Sequence, residues 1–160
     1  MIFSHSGQYT GQAITLEAAM ISANAVPHTQ LNDREDRLSA AALLNFFGIT
    51  DEWGLTSKEQ MVLLGNPAKT TFYRMKDYAD GKAEKPVRLS QDTLERVSYI
   101  MGIYKAINIL LPTNRRAAEW IKLPNTAGLF GGQSALDKML QGRVSDLCDV
   151  RRYLDAERGH

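Results

Sequence analysis

From Asp33 to the C-terminus, the hydrophobic positions of this chain recur every three or four residues, the spacing of one face of an α-helix. The longest stripe begins after Ser90, which has the position of an N-cap, and ends before Pro112. Its apolar residues are Leu94, Val97, Met101, Tyr104, Ile107 and Leu111. The pattern predicts an all-α fold in which this helix supplies core or a dimer contact, an interpretation we prefer to a cofactor pocket.

Capping residues and glycines divide the rest of the pattern into shorter helices. Thr56 and Glu59 are spaced as a capping box and predict that a helix begins there. Gly48 and Gly65 are expected to end the helices that precede them.

A tight turn between two helices is predicted directly after Gly65. Asn66 is expected to be the N-cap and Pro67 the first residue of the second helix. A short helix, a glycine turn and a second helix form the pattern of a DNA-binding helix-turn-helix. The alternative is an ordinary solvated helical hairpin.

The second helix of this pair is predicted to have an apolar face and a polar, basic face. Ala68, Phe72, Met75 and Ala79 share the apolar face. Residues near the start of such a helix usually approach base edges, and cations further along reach phosphates. The candidate DNA-binding residues are Lys69, Thr70, Tyr73, Arg74 and Lys76, and the cluster Lys82, Lys85 and Arg88 is a candidate for further backbone contacts.

Composition and charge narrow the class of protein. The chain has 160 residues, is 44% hydrophobic and carries a net charge of +1, so no global attraction to nucleic acid or membrane is indicated. The basic excess is local, since residues 55–89 contain seven Lys and Arg against four Asp and Glu. The single cysteine, Cys148, excludes an internal disulfide and a multi-cysteine zinc site. Without a signal sequence or a membrane-spanning stretch, the protein is expected to be cytoplasmic, with no membrane partner.

These patterns predict three parts of the chain. Residues 1–30, rich in Ser, Gln, Thr, Gly and Ala, are expected to be a flexible arm, residues 31–89 the helix-turn-helix region, and residues 90–160 a second helical domain.

Residues 124–132 are predicted to form a loop of fixed shape that begins with Pro124 and Asn125. Gly131 and Gly132 permit positive φ angles, while Leu129 and Phe130 are expected to anchor the loop to a core. A phosphate cradle is the alternative for the two glycines. They follow no strand, lack the spacing of a nucleotide fingerprint and precede no Lys-Ser or Lys-Thr pair, so a structural loop is preferred.

No catalytic or metal-binding constellation is apparent. The three histidines, His5, His28 and His160, have no paired carboxylate or nucleophile at helical spacing, and Cys148 is better explained as a small buried residue. The chain is therefore expected to be no enzyme, with no cofactor and no metal.

A last helix is predicted from Val144 to about Glu157. Leu147 and Leu154 occupy one side, and Asp146, Asp149, Arg152 and Asp155 are expected on the other.

Taken together, the ordered string of C-terminal residues resembles the toxin-binding domain of the Xre/MbcA/ParS antitoxin family from about Leu94 onward. One departure is Gln133-Ser134, where many members have a more apolar or proline-containing sequence. The residues that carry the resemblance are Trp120, Pro124, Asn125, Leu129 to Gly132, Leu136, Met139, Leu140, Gly142 and Val150 to Leu154.

The resemblance implies a non-catalytic antitoxin with a divergent Cro-like helix-turn-helix part. Its partner would be a RES-type toxin that consumes NAD or transfers ADP-ribose, and the antitoxin would cover the toxin's active site through its last helix and tail. Binding to operator DNA would repress its own operon, and a palindromic operator would require a homodimer. The candidate toxin-binding residues are Arg151, Arg152, Tyr153, Arg158 and Gly159. The alternative is a stand-alone helix-turn-helix regulator whose C-terminal domain dimerises or senses a ligand.

Overall fold

A computed structural model describes residues 33–159, and the regular secondary structure in this range is helical. The all-α prediction is confirmed for these residues, while the predicted arm, residues 1–30, lies outside them. By their contacts, the described residues divide into an N-terminal unit, 33–98, and a C-terminal unit, 99–159. The helices are α1 (Arg34–Glu52), α2 (Ser57–Leu63), α3 (Lys69–Ala79), α4 (Gln91–Leu110), α5 (Asn114–Trp120), α6 (Ala135–Met139) and α7 (Val144–Arg158).

Aromatic packing between α1 and α3 forms the core of the N-terminal unit. The rings of Phe47 and Phe72 lie 5.8 Å apart, and both side chains are almost fully buried. The expectation that Gly48 ends α1 was wrong, because the helix continues to Glu52. Ile49 and Thr50, directly after Gly48, are buried, and this burial outweighs a glycine penalty of about 1 kcal/mol.

The capping box at the start of α2 is confirmed. The Thr56 hydroxyl accepts from the Glu59 backbone N–H at 3.2 Å, and the Glu59 carboxylate accepts from the Thr56 backbone N–H at 3.3 Å. Gln60, buried one turn later, donates to the Thr50 hydroxyl and the Asp51 carboxylate, both at 2.9 Å. These bonds fix α2 to the end of α1.

The turn between α2 and α3 differs from the prediction at its second half. Gly65 has a φ of +89°, as expected for the residue that ends α2. Asn66 also has a positive φ, +55°, and its N–H donates to the Met61 carbonyl, so it completes the end of α2 instead of capping α3. Helix α3 begins at Lys69, and its N-cap, Ala68, provides no side-chain hydrogen bond.

Arg88 binds three carboxylates around the start of α1. Its guanidinium contacts Asp33 at 2.5 Å, Glu35 at 3.0 Å and Asp36 at 3.1 Å. Hydrogen bonds and charge from Asp36 and Asp33 raise the pKa of Arg88. These contacts give Arg88 a structural role beside the start of α1, and its contact with a DNA backbone stays a prediction.

Three aromatic rings connect the elements of the C-terminal unit. Trp120 of α5 packs edge-to-face on Phe130 with ring centroids 6.3 Å apart, and Phe130 packs in the same way on Tyr153 of α7 at 5.0 Å. The Leu136 N–H donates to the Ile121 carbonyl at 2.8 Å, which holds α6 against the end of α5. Phe130 is thus the central residue between a loop and two helices.

Candidate functional site

Asn125 organises the loop that joins α5 to α6. Its backbone N–H donates to the Gln133 carbonyl at 3.0 Å, and its carbonyl accepts from the Gly132 N–H at 3.0 Å. Its side-chain Oδ1 accepts from the Ala127 N–H at 3.0 Å. Because Asn125 is 2% exposed, these bonds are shielded from water and hold the loop closed.

Both predicted loop glycines adopt left-handed backbone conformations. The φ angles are +58° at Gly131 and +87° at Gly132, where a side chain would be strained even though open space surrounds each position. Phe130 is buried as expected, but Leu129 is 36% exposed, so the prediction that both residues anchor the loop holds only for Phe130.

Ser134 gives helix α6 a complete capping box. Its hydroxyl accepts from the Asp137 N–H at 3.0 Å, and the Asp137 carboxylate accepts from the Ser134 N–H at 3.1 Å. The local departure from the resemblance, at Gln133-Ser134, therefore supplies the helix with an efficient start.

Asp146 lies inside the C-terminal unit, contrary to the prediction that it faces outward on α7. It is 1% exposed and contacts Lys138 of α6 at 3.0 Å and Arg143 at 3.1 Å. Burial raises the pKa of this carboxyl, but the hydrogen bonds and charges of Arg143 and Lys138 outweigh burial, and the pKa is lowered overall. The ionised Asp146 joins α6 to α7.

Arg151, a candidate toxin contact, packs within the C-terminal unit. A Cβ atom on Gly102 of α4 would lie 1.3 Å from Arg151 Nη1, so the guanidinium occupies the space that this glycine leaves. Arg151 Nε also donates to the Asp155 carboxylate at 2.9 Å. These contacts identify a structural role for Arg151.

Tyr153 is half-buried against Phe130. Burial raises the pKa of Tyr153, the charge of Glu157 raises it further, and a side-chain hydrogen bond with Asn125 opposes the shift. The tyrosine therefore links α7 to the fixed loop, which sequence periodicity does not reveal.

The remaining candidates on α7 are exposed, Arg152 in the middle of the helix and Arg158 and Gly159 at its end. Arg152 is exposed and has no ion pair within residues 33–159, whereas Arg158 makes a long contact of 3.7 Å with Asp155. Gly159 follows the helix and is also exposed. Helix α7 therefore offers two guanidinium groups, Arg152 and Arg158, that another molecule can contact.

Helix α3 presents the predicted basic face, and Tyr73 on this face packs edge-to-face on Phe72 with ring centroids 5.3 Å apart. Phe72 and Met75 are buried, Tyr73 is 43% exposed, and the cations have no ion pair in the part of the chain that the structure describes. Of the five candidates, Lys69, Thr70, Tyr73 and Arg74 are exposed and Lys76 is half-buried. The structure therefore brings them together on one exposed side of a short helix.

Two kinds of site are not found within the described residues, a metal-ligand cluster and a membrane-spanning helix. Between residues 33 and 159, no group of three or more His, Cys, Asp or Glu side chains is arranged to hold a metal ion. No helix of this range is long and apolar enough to cross a membrane. The C-terminal unit presents a loop of fixed shape and, on α7, exposed arginines.

Comparison with known proteins assigns the C-terminal unit to a family. Residues 106–159 match the family described as the antitoxin Xre/MbcA/ParS C-terminal toxin-binding domain. The chain is 48% identical over 119 residues to the "Uncharacterized protein y4oB" of Sinorhizobium fredii (strain NBRC 101917 / NGR234), covering 74% of this chain and 85% of that protein. No solved structure matched the chain. The chain belongs to the same family as this relative, and its C-terminal part matches the toxin-binding domain of Xre/MbcA/ParS antitoxins.

Proposed function

We propose that this antitoxin neutralises a RES-type toxin, an enzyme that consumes NAD or transfers ADP-ribose, by covering its active site with the end of α7. One observation supports this proposal. The last helix of the domain that matches a toxin-binding family carries two exposed guanidinium groups, Arg152 and Arg158. Guanidinium groups form paired hydrogen bonds with carboxylates, so these arginines would bind acidic side chains beside the toxin's cleft.

The five candidate residues have different roles in this proposal. Arg152, Arg158 and Gly159 contact the toxin, since they are exposed. Arg151 and Tyr153 act indirectly, because their contacts with Gly102 and Phe130 orient α7. The surface ion pair between Arg158 and Asp155 is weak enough to exchange for a toxin contact.

A growth assay tests this proposal. The product of the neighbouring reading frame is expressed alone and together with the full chain, with Arg152→Glu/Arg158→Glu, or with Lys105→Glu as a matched charge reversal on α4. Growth and cellular NAD are expected to recover with the wild type and with Lys105→Glu, but not with the double variant. A neighbouring product that does not deplete NAD, or a wild-type chain that gives no protection, would refute the proposal and favour a stand-alone regulator.

A shortened chain locates the contact more closely. Leu154 is fully buried, so removing residues 153–160 would damage the core. Ending the chain after Ala156 removes Arg158 and Gly159 while leaving Leu154 in place. We expect this variant to fold and to lose protection; full protection would exclude the tail from the mechanism.

We further propose that the N-terminal unit binds operator DNA as a Cro-like helix-turn-helix and represses the antitoxin's own operon in the cytoplasm. The support is the exposed basic side of α3, which follows the tight turn at Gly65. Lys69, Thr70 and Tyr73 would approach base edges, while Arg74 and Lys76 would bind phosphates. A palindromic operator would require two copies of the chain.

Salt-dependent binding to the operon's promoter DNA tests this second role. Lys69→Ala and Arg74→Ala should weaken binding, and each lost phosphate contact should reduce the magnitude of the salt slope by about 1. Arg34→Ala, an exposed cation at the start of α1, is the matched control and should bind as the wild type does. Unchanged affinity in both α3 variants would show that DNA contacts a different part of the chain.

A further inference from the structure

A row of charged residues follows the outer side of α5. Ala117 and Trp120 are buried on the inner side, while Arg116 and Glu119 are exposed. The chain continues helically past α5, because the Lys122 N–H donates to the Glu119 carbonyl at 3.0 Å. Residues three apart in such a turn lie above one another, so Arg116, Glu119 and Lys122 form one row.

The charge of this row is predominantly positive. Between residues 114 and 134 there are three cations, Arg115, Arg116 and Lys122, and one carboxylate, Glu119. Arg115 donates to Glu119 at 3.0 Å, which neutralises that pair. Arg116 and Lys122 have no ion pair among residues 33–159 and extend into solvent.

Two exposed leucines follow the row along the chain. Leu123 is 54% exposed and Leu129 is 36% exposed, and they are two of the four large hydrophobic residues exposed within residues 33–159. Their backbone is held by the bridge between Pro124 and Ser134 and by the buried ring of Phe130. The leucines are thus presented on a loop whose shape is already fixed, which lowers the entropic cost of binding.

We propose that Arg116, Lys122, Leu123 and Leu129, which we call the α5–loop surface, form a second docking site for the toxin. The occupant is an acidic surface of the toxin with exposed apolar side chains. This inference rests on the proposed function and extends it, because the surface lies on elements other than the end of α7.

The chemistry of the surface favours a protein of opposite charge over other occupants. A nucleic-acid backbone would satisfy Arg116 and Lys122 but would leave both leucines without an apolar partner. A second copy of this chain, placed by a two-fold axis, would bring the same cations against each other. The position within residues 106–159, which match a toxin-binding domain, identifies the protein partner as the toxin.

Binding kinetics test the proposal with the full chain and the purified product of the neighbouring reading frame. Arg116→Glu/Lys122→Glu should lower the association rate at least about tenfold and weaken its salt dependence. Leu123→Ser/Leu129→Ser should raise the dissociation rate at least about tenfold, since it removes apolar contact. The matched control, Lys105→Glu, has the same charge change on an exposed position of α4 and should stay within about twofold of the wild type.

Each outcome decides the proposal. Circular dichroism and the thermal midpoint establish that a variant is folded, and Arg116→Gln/Lys122→Gln replaces the charge reversal if that variant unfolds. Wild-type kinetics in the folded surface variants, or an equal loss in Lys105→Glu, would overturn the second docking site and leave the proposed function intact. A changed oligomeric state with unchanged toxin binding would also overturn it. A wild-type chain that binds no toxin would refute the proposed function itself.

Discussion

Helices α3 and α7 carry similar residues, basic side chains and a tyrosine, but they use them differently. On α3, Tyr73 and Arg74 are exposed, and Arg74 has no ion pair within the described residues. On α7, Tyr153 packs on Phe130 and Arg151 fills the space beside Gly102. A basic or aromatic residue is therefore a good candidate for contact with a partner only where its side chain is exposed.

The largest effect on the free energy of unfolding is expected at Asp146, a buried charge on α7. Asp146→Ala should lower the free energy of unfolding by about 3 kcal/mol, because it leaves Lys138 partly buried without its closest carboxylate. Asp149→Ala, which removes a more exposed carboxylate 3.7 Å from the same lysine, should cost less than about 1 kcal/mol. Urea denaturation measures both; equal costs would contradict a special role for the buried charge.

The same residue predicts a pH dependence. The pKa of Asp146 is lowered in the folded chain, so its contribution to stability is present above the unfolded carboxyl pKa of about 3.9. That contribution is lost as the pH falls from this value through the lower folded-state pKa. Denaturation curves of the wild type and Asp146→Asn should therefore converge at acid pH; a constant difference would argue against an ionised Asp146.

Tyr153 should show a smaller but still large effect on the free energy of unfolding. Tyr153→Ala is expected to cost about 2 kcal/mol, since it removes a half-buried ring from Phe130. Tyr153→Phe keeps the ring contact and should cost less than about 1 kcal/mol. If Tyr153→Phe folds normally but no longer neutralises the toxin, the hydroxyl contacts the toxin directly and the contrast with Tyr73 weakens.

Gly102 tests how closely α7 packs on α4. Gly102→Leu should destabilise the chain by about 1 to 2 kcal/mol, because the added side chain enters the space of Arg151. Gly102→Ala is the graded control and should cost less, since it displaces only the end of a flexible side chain. Combining Gly102→Leu with Arg151→Ala should recover part of the loss; simple additivity would place Arg151 elsewhere.

The smallest effect on stability is expected on α3. Arg74→Ala should change the free energy of unfolding by less than about 0.5 kcal/mol, because the side chain is exposed and has no ion pair within residues 33–159. Thermal denaturation checks this value. A loss above 1 kcal/mol would show that Arg74 supports the fold, and α3 would then resemble α7.

Local signals in the sequence predicted most helix boundaries. Thr56 and Ser90 cap the helices that they were expected to cap, and Gly65 ends α2. Such signals depend on a few neighbouring residues, which is why they are readable in one sequence. The prediction from Gly48 was wrong because the burial of Ile49 and Thr50 outweighs the low helix propensity of glycine.

The candidate sites were less predictable, because ion pairing depends on distant residues. Arg88 is separated by more than fifty positions from the carboxylates that it binds, so the sequence around Arg88 does not predict these contacts. The polar pattern of α7 predicted that Asp146 faces outward. In the structure Asp146 is buried and contacts Lys138 of α6. The exposure of Leu123 was also missed, since periodicity alone assigns leucines to the core.

We propose that the C-terminal unit binds a toxin through the exposed arginines of α7, Arg152 and Arg158. Calorimetric titration of the product of the neighbouring reading frame with the full chain tests it most directly, with Arg152→Glu/Arg158→Glu and Lys105→Glu as the paired variants. Tight binding is expected for the wild type and for Lys105→Glu, and a marked loss of affinity is expected for the double variant. Absence of wild-type binding, or equal affinity in all three proteins, would contradict it.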